Sequence, residues 1–195
     1  MDSILAIILG IGLAASCGFR VFAPLLVVSA ASQAGYLDLA QGFDWLGTWT
    51  ATIAFAVAAV VEIGAFYIPW LDNLLDTIAS PFAVIAGVVL FAAVAIELDP
   101  LLKWSLAIIA GGGSAAVVQG GTVLTRAAST GTTGGLANFA VSTVETIAGF
   151  FFSLMAIIVP VLALILLVAL IATMYYVGRR VLRRIIAGPS TGGTP

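Results

Sequence analysis

The sequence predicts an all-α protein, a polytopic transmembrane helix bundle of about six spans. Three observations carry this. Hydrophobic residues make up 62% of the 195-residue chain. Charged residues make up 8%, against about 25% in an ordinary soluble domain. The apolar residues also come in runs long enough to cross a hydrocarbon core, which takes roughly 20 residues. Such a composition excludes a water-facing surface. It equally excludes a disordered chain, which is polar and rich in charge.

Six spans account for these runs. The first extends from Ile4 to Ala34 and is interrupted by Arg20 and Pro24. The second runs from about Thr48 to Ile68, the third from after Pro81 to near Ile96, and the fourth from about Leu102 to Leu124. The last apolar block, Leu136 to Val177, would be about 60 Å long as a straight helix. That is twice a bilayer, so it folds back, and Pro160 is the expected break. The fifth span then lies near 138–157 and the sixth near 160–178. Residues 1–187 form a single transmembrane domain, and 188–195, rich in glycine and proline, a disordered tail. Met1-Asp2-Ser3 has no basic residue, which argues against a cleaved signal peptide.

Basic residues mark the cytoplasmic side of a membrane protein. Arg179, Arg180, Arg183 and Arg184 follow the sixth span, so the C-terminus is expected inside, and with six spans the N-terminus as well. The same four arginines are expected to contact anionic lipid. Trp45, Trp49 and Trp104 fall near outer span ends, and Trp70, Tyr175 and Tyr176 near inner ones, as interfacial anchors do.

Charge inside a span costs at least ~2.5–3.5 kcal/mol, so each such residue asks for a reason. Arg20 lies between Gly18 and Pro24. Proline lacks the N–H that would bond the carbonyl four residues back, here that of Arg20. A broken helix with a guanidinium at the break is a candidate site for an anion or lipid headgroup. Pairing with a carboxylate that locks two helices is the alternative. Gln119, in the glycine-rich fourth span, and Arg126 complete the candidate substrate-binding set.

Glu62 and Glu145 fall at similar depth near the inner face, where they can share a proton, hold a cation or pair with Arg126. Asp72, Asn73 and Asp76 lie on one face of a short amphipathic unit bounded by Pro69 and Pro81, with Leu71, Leu74, Leu75 and Ile78 on the other. That unit is expected as an interfacial helix, and the acids are candidates for ion or proton coupling. Gly18, Pro24, Pro69, Pro81 and Pro160 are the expected hinges. Ala127–Gly135 is expected as a flexible polar loop. Gly111, Ala115, Ala116 and Gly120 are small residues spaced four apart, which suits close helix packing or a homo-oligomer contact.

The chain has no histidine and one cysteine, Cys17. This removes most metal sites, Cys–His nucleophiles and any intramolecular disulfide. No metal, cofactor or enzymatic activity is expected. A net charge of −2, with basic residues clustered only at the C-terminus, argues against nucleic acid.

Several short motifs, in order, carry a resemblance. They are Gly18-Phe19-Arg20-Val21-Phe22-Ala23-Pro24-Leu25-Leu26, Val61-Glu62, Ile68-Pro69 with Asp72-Asn73-Leu74-Leu75-Asp76, Pro81, Gly87, Asp99-Pro100, Thr125-Arg126, Asn138 and Glu145. Together they resemble the Domain of Unknown Function 4126 family over about residues 4–184. The resemblance implies a small bacterial integral membrane protein of the cytoplasmic membrane and implies no particular activity. The chain departs from the family pattern at Phe66-Tyr67, where a charged pair is common, and in 129–136.

The expected function is a carrier or channel for a small solute or lipid headgroup. Arg20 would bind the anionic part, and the acids a coupling cation or proton. The alternative is a structural or regulatory membrane subunit in which the same residues form interhelical pairs.

Overall fold

The computed structural model describes residues 3–186. The 188–195 tail lies outside the described residues, as do the side chains of Asp72, Asn73, Asp76, Arg180, Arg183 and Arg184. All regular structure among the described residues is helical. In chain order the helices are α1 (Ser3–Cys17), α2 (Phe22–Gln33), α3 (Trp49–Ala65), α4 (Pro69–Val94), α5 (Pro100–Leu106), α6 (Gly113–Thr133), α7 (Asn138–Ile158) and α8 (Pro160–Ile186). A 3₁₀ turn, Asp44–Gly47, precedes α3, and a π-helical segment, Ala107–Gly112, joins α5 to α6.

Three helical stretches are long and apolar enough to cross a membrane: Thr77–Val94, Pro100–Thr133 and Asn138–Ile158. α1, α2, α3 and the first half of α8, Pro160–Thr173, are shorter apolar helices. Their outward faces are greasy. Val57, Val60 and Val61 on α3, Ile85 on α4, and Ile165 and Val168 on α8 are all exposed. Apolar surface this extensive suits lipid rather than water.

Helix α1 fills the centre, with Leu13, Ala14, Ala15, Ser16 and Cys17 fully buried. Close approaches at glycines fix the helix directions. A Cβ on Gly10 would lie 2.8 Å from the Phe91 ring, and one on Gly87 3.4 Å from the Ala14 carbonyl oxygen, so α1 and α4 are antiparallel. Gly12 meets Ala156, and Gly149 meets Arg20, so α1 and α7 are antiparallel too. Along α8 the partners of α1 advance from Ala163 near Gly12 to Leu167, Leu170 and Ile171 near Ala15 and Phe19. These two helices run in parallel.

The first apolar run does not cross the bundle once, as the span count expects. It folds back at Gly18–Val21. The start of α2 is bonded to Glu62 near the end of α3, whereas Ser29 and Gln33 meet Thr52 near its beginning. α2 is therefore antiparallel to α3. Ala40, beyond α2, donates to the Ala93 carbonyl at 2.7 Å, beside the N-terminal half of α1. Both ends of the α1–α2 hairpin thus lie at one end of the bundle and its tip points towards the other. The chain from Ile4 to Ala34 would be about 45 Å long as one helix, too long for a single untilted pass.

Two further expectations are corrected. Pro69–Pro81 is not a separate interfacial helix, because α4 continues through Pro81 to Val94. A proline inside a membrane helix is tolerated where neighbours and side chains re-satisfy the freed backbone groups. Beyond it, Ala83, Ala86 and Leu90 are buried against the core. The polar stretch Ala127–Gly135 is likewise helical as far as Thr133. The hydroxyls of Thr132 and Thr133 bond the carbonyls of Ala128 and Ser129, one turn back. Gly134, at φ 63°, then ends the helix in the left-handed conformation that glycine adopts freely. The break expected at Pro160 is present: α7 ends at Ile158 and α8 begins at Pro160.

Candidate functional site

Bending a chain at membrane depth exposes backbone groups that lipid cannot satisfy, so such a bend survives only inside protein. At the hairpin tip the donors are accounted for in sequence. The amides of Gly18, Phe19 and Arg20 bond back to the carbonyls of Ala15 and Ser16. The amides of Val21 and Phe22 donate to Glu62 Oε1 at 2.8 Å and Oε2 at 3.1 Å. A carboxylate from α3 therefore caps α2, where the partial positive charge of the helix start favours an anion. Pro24 follows in the first turn of α2, where a missing amide costs nothing.

Gly18 lets the tip approach α6. A Cβ there would sit 2.6 Å from the Ala115 carbonyl oxygen and 2.7 Å from the Gln119 amide nitrogen. The same approach brings the Thr122 hydroxyl to 3.5 Å from the Gly18 carbonyl.

The Arg20 side chain is 1% exposed. Its Nη2 donates to the Ser142 carbonyl at 2.8 Å and to the Ser142 hydroxyl at 2.6 Å, and its Nε donates to Thr146 Oγ1 at 3.0 Å. Glu145 Oε2 lies 3.8 Å from the same Nη2. Arg126, 3% exposed, grips Glu145 with two nitrogens: Nε donates to Oε1 at 3.2 Å, and Nη2 pairs with Oε2. Both guanidiniums lie over the Phe66 ring, at 4.0 Å for Arg20 and 4.1 Å for Arg126. One aromatic face system and one carboxylate are thus shared by two cations. Such contacts reach about 2 kcal/mol each when water is excluded.

The structure brings together Arg20, Glu62, Arg126 and Glu145 of the expected set. Gln119 is buried alongside, but its amide reaches Ser80 Oγ at 3.4 Å. The expected coupling residues Asp72, Asn73 and Asp76 have side chains outside the described residues. Arg126 sits on α6.

Sequence reading missed Phe66, Ser142 and Thr146. A signal existed for the last two. Ser142, Glu145 and Thr146 are spaced three and four apart, which puts them on one helix face. Phe66 stands one turn after Glu62 and was marked only as a departure from the family pattern.

A separate cavity of about 790 Å³ opens between α2 and α7. Leu26, Ala30 and Ala34 form one wall and Phe150, Leu154 and Ile158 the other. Its near end, at Leu26 and Phe150, is one helical turn beyond Phe22 and Thr146, the residues beside Arg20.

A family model described as domain of unknown function (DUF4126) matches residues 7–180. No curated protein and no solved structure matches the chain.

Proposed function

The chain belongs to the family described as domain of unknown function (DUF4126), and we propose that this member is a membrane carrier for an anionic small solute or lipid headgroup. The observation that carries the reading is Arg20, buried at the tip of a fold-back hairpin and surrounded by Glu62, Arg126 and Glu145. A hydrophobic contact would join these helices at lower cost, since each buried ion carries a desolvation penalty of several kcal/mol. Interrupted helices with ionisable groups at the break are how membrane carriers build their sites.

In this reading α3, α4, the joined α5 and α6, α7 and α8 cross the membrane, and the α1–α2 hairpin enters and leaves on one side. The arginines at 179–184 lie on the cytoplasmic side of a bacterial inner membrane, against anionic lipid. Glu62 and Glu145, with Asp72, Asn73 and Asp76 on α4, serve a coupling cation or proton.

A second reading, a structural or regulatory subunit, is favoured by one specific observation: Arg20 and Arg126 are already engaged by Glu145 inside the protein. Reconstitution separates the two. Proteoliposomes are assayed for uptake of labelled succinate, glutamate and phosphate, and for scrambling of a short-chain fluorescent phosphatidylglycerol. The carrier reading expects at least one flux above protein-free liposomes, lost in a folded Arg20→Ala variant. If every flux equals that of empty liposomes, the carrier reading falls and the structural one stands.

A further inference from the structure

We propose that the anion bound at the hairpin tip is a phosphate group, seated between Arg20 and Arg126 in the place that Glu145 occupies in this structure. The inference rests on the carrier reading and deepens it.

Glu145 is the resident anion of this pair. It presents two oxygens to Arg126 and turns one of them towards Arg20. A carboxylate has two oxygens to divide between two guanidiniums, and Glu145 Oε2 stands 3.8 Å from Arg20 Nη2 while it pairs with Arg126. A phosphate has three or four, with more charge, and can satisfy a planar fork on each side at once. The donor set also suits it. Ser142 adds a hydroxyl beside Arg20, Thr146 accepts from Arg20 Nε while donating to the Ser142 carbonyl, and Phe66 holds both guanidiniums over one ring.

The apolar cavity indicates the source of the phosphate. It begins one turn from Arg20 and runs between α2 and α7 without a charged residue in its lining. A headgroup at the tip with hydrocarbon along that cavity uses both features, whereas free phosphate uses only the first.

The test uses the full chain in nanodiscs of phosphatidylcholine, with thermal unfolding and phosphate titration as readouts. Glu145→Gln removes the charge that holds this side chain between the two arginines and competes for the place, so phosphate is expected to bind it about tenfold tighter than wild type, about 1.4 kcal/mol. Adding Arg126→Ala to that variant is expected to abolish the gain. A folded Glu145→Gln protein with unchanged phosphate affinity overturns the proposal. If that variant does not fold, wild type and Arg126→Lys are compared: phosphate is expected to raise the melting temperature of the first more than the second, and an equal or absent response in both overturns it.

Nanodiscs containing phosphatidic acid distinguish the source. Loss of the response to inorganic phosphate there identifies a lipid headgroup, and an unchanged response identifies free phosphate. Succinate flux without phosphate binding sinks this proposal and leaves the carrier reading. Phosphate binding without any flux does the reverse.

Discussion

Glu62 Oε1 lies 2.8 Å from the backbone nitrogen of Val21, so a side chain of α3 closes the first turn of α2. The cap comes from 41 residues along the chain, not from the residue before the helix. The residue at the usual capping position is Val21, which has no side-chain oxygen to offer.

Removing this cap is expected to loosen the tip. Glu62→Ala strands two amides away from water and should cost about 1–3 kcal/mol. Glu62→Gln keeps one acceptor oxygen and should cost less. Unfolding by titration with sodium dodecyl sulfate in mild detergent measures both, and an Ala variant as stable as wild type would refute the cap.

Gly18 and Gly113 make a matched pair. A Cβ at Gly18 runs into backbone atoms of Ala115 and Gln119, which have little room to move, while one at Gly113 meets nothing within 4 Å. Gly18→Ala should destabilise by about 1–3 kcal/mol or more, as overpacking does. Gly113→Ala, in a helix, should be neutral or stabilising by up to about 1 kcal/mol. The same unfolding assay ranks the two, and equal effects would argue that the tip does not press on α6.

Phe66 serves two arginines at once. Phe66→Leu keeps an apolar side chain but removes the ring, and should cost about 1–3 kcal/mol from two cation–π contacts. Phe66→Tyr should retain most of the stability. If Leu and Tyr behave alike, the ring is only filling space.

The hairpin makes a sharp prediction about sidedness. Ser3 and Gln41 lie at one end of the bundle and Thr132 at the other. Ser3→Cys and Gln41→Cys should react with a membrane-impermeant maleimide from the same side, and Thr132→Cys from the opposite side. Native Cys17 is fully buried and should not interfere. Labelling of Ser3→Cys and Gln41→Cys from opposite sides would show that the first apolar run crosses once.

The ions of the site were legible because charge in an apolar run is costly enough to stand out: Arg20, Glu62 and Glu145 are marked by their neighbours alone. Their grouping was less so. Arg126 sits where glycine, serine and threonine dominate, a stretch that reads as a loop until the threonine hydroxyls are seen bonding back along the helix. The hairpin was hidden because hydropathy carries no direction: Ile4–Ala34 has the same composition whether it crosses or returns. Its excess length, with Gly18 and Pro24 near the middle, was the available clue. Pro81 misled for a related reason. A proline that would end a helix in water is held within α4 by the packing of Ala83, Ala86 and Leu90.

The hairpin also bears on biogenesis. It precedes the other helices in the chain, yet the side chains that complete its tip arrive later in synthesis: Glu62 and Phe66 first, then Arg126, and last Ser142, Glu145 and Thr146. A translocon handling segments in the order they emerge meets α1 and α2 before any of these exist. The contacts that hold the hairpin tip are therefore complete only once α7 has been made, although α1 and α2 come before it in the chain.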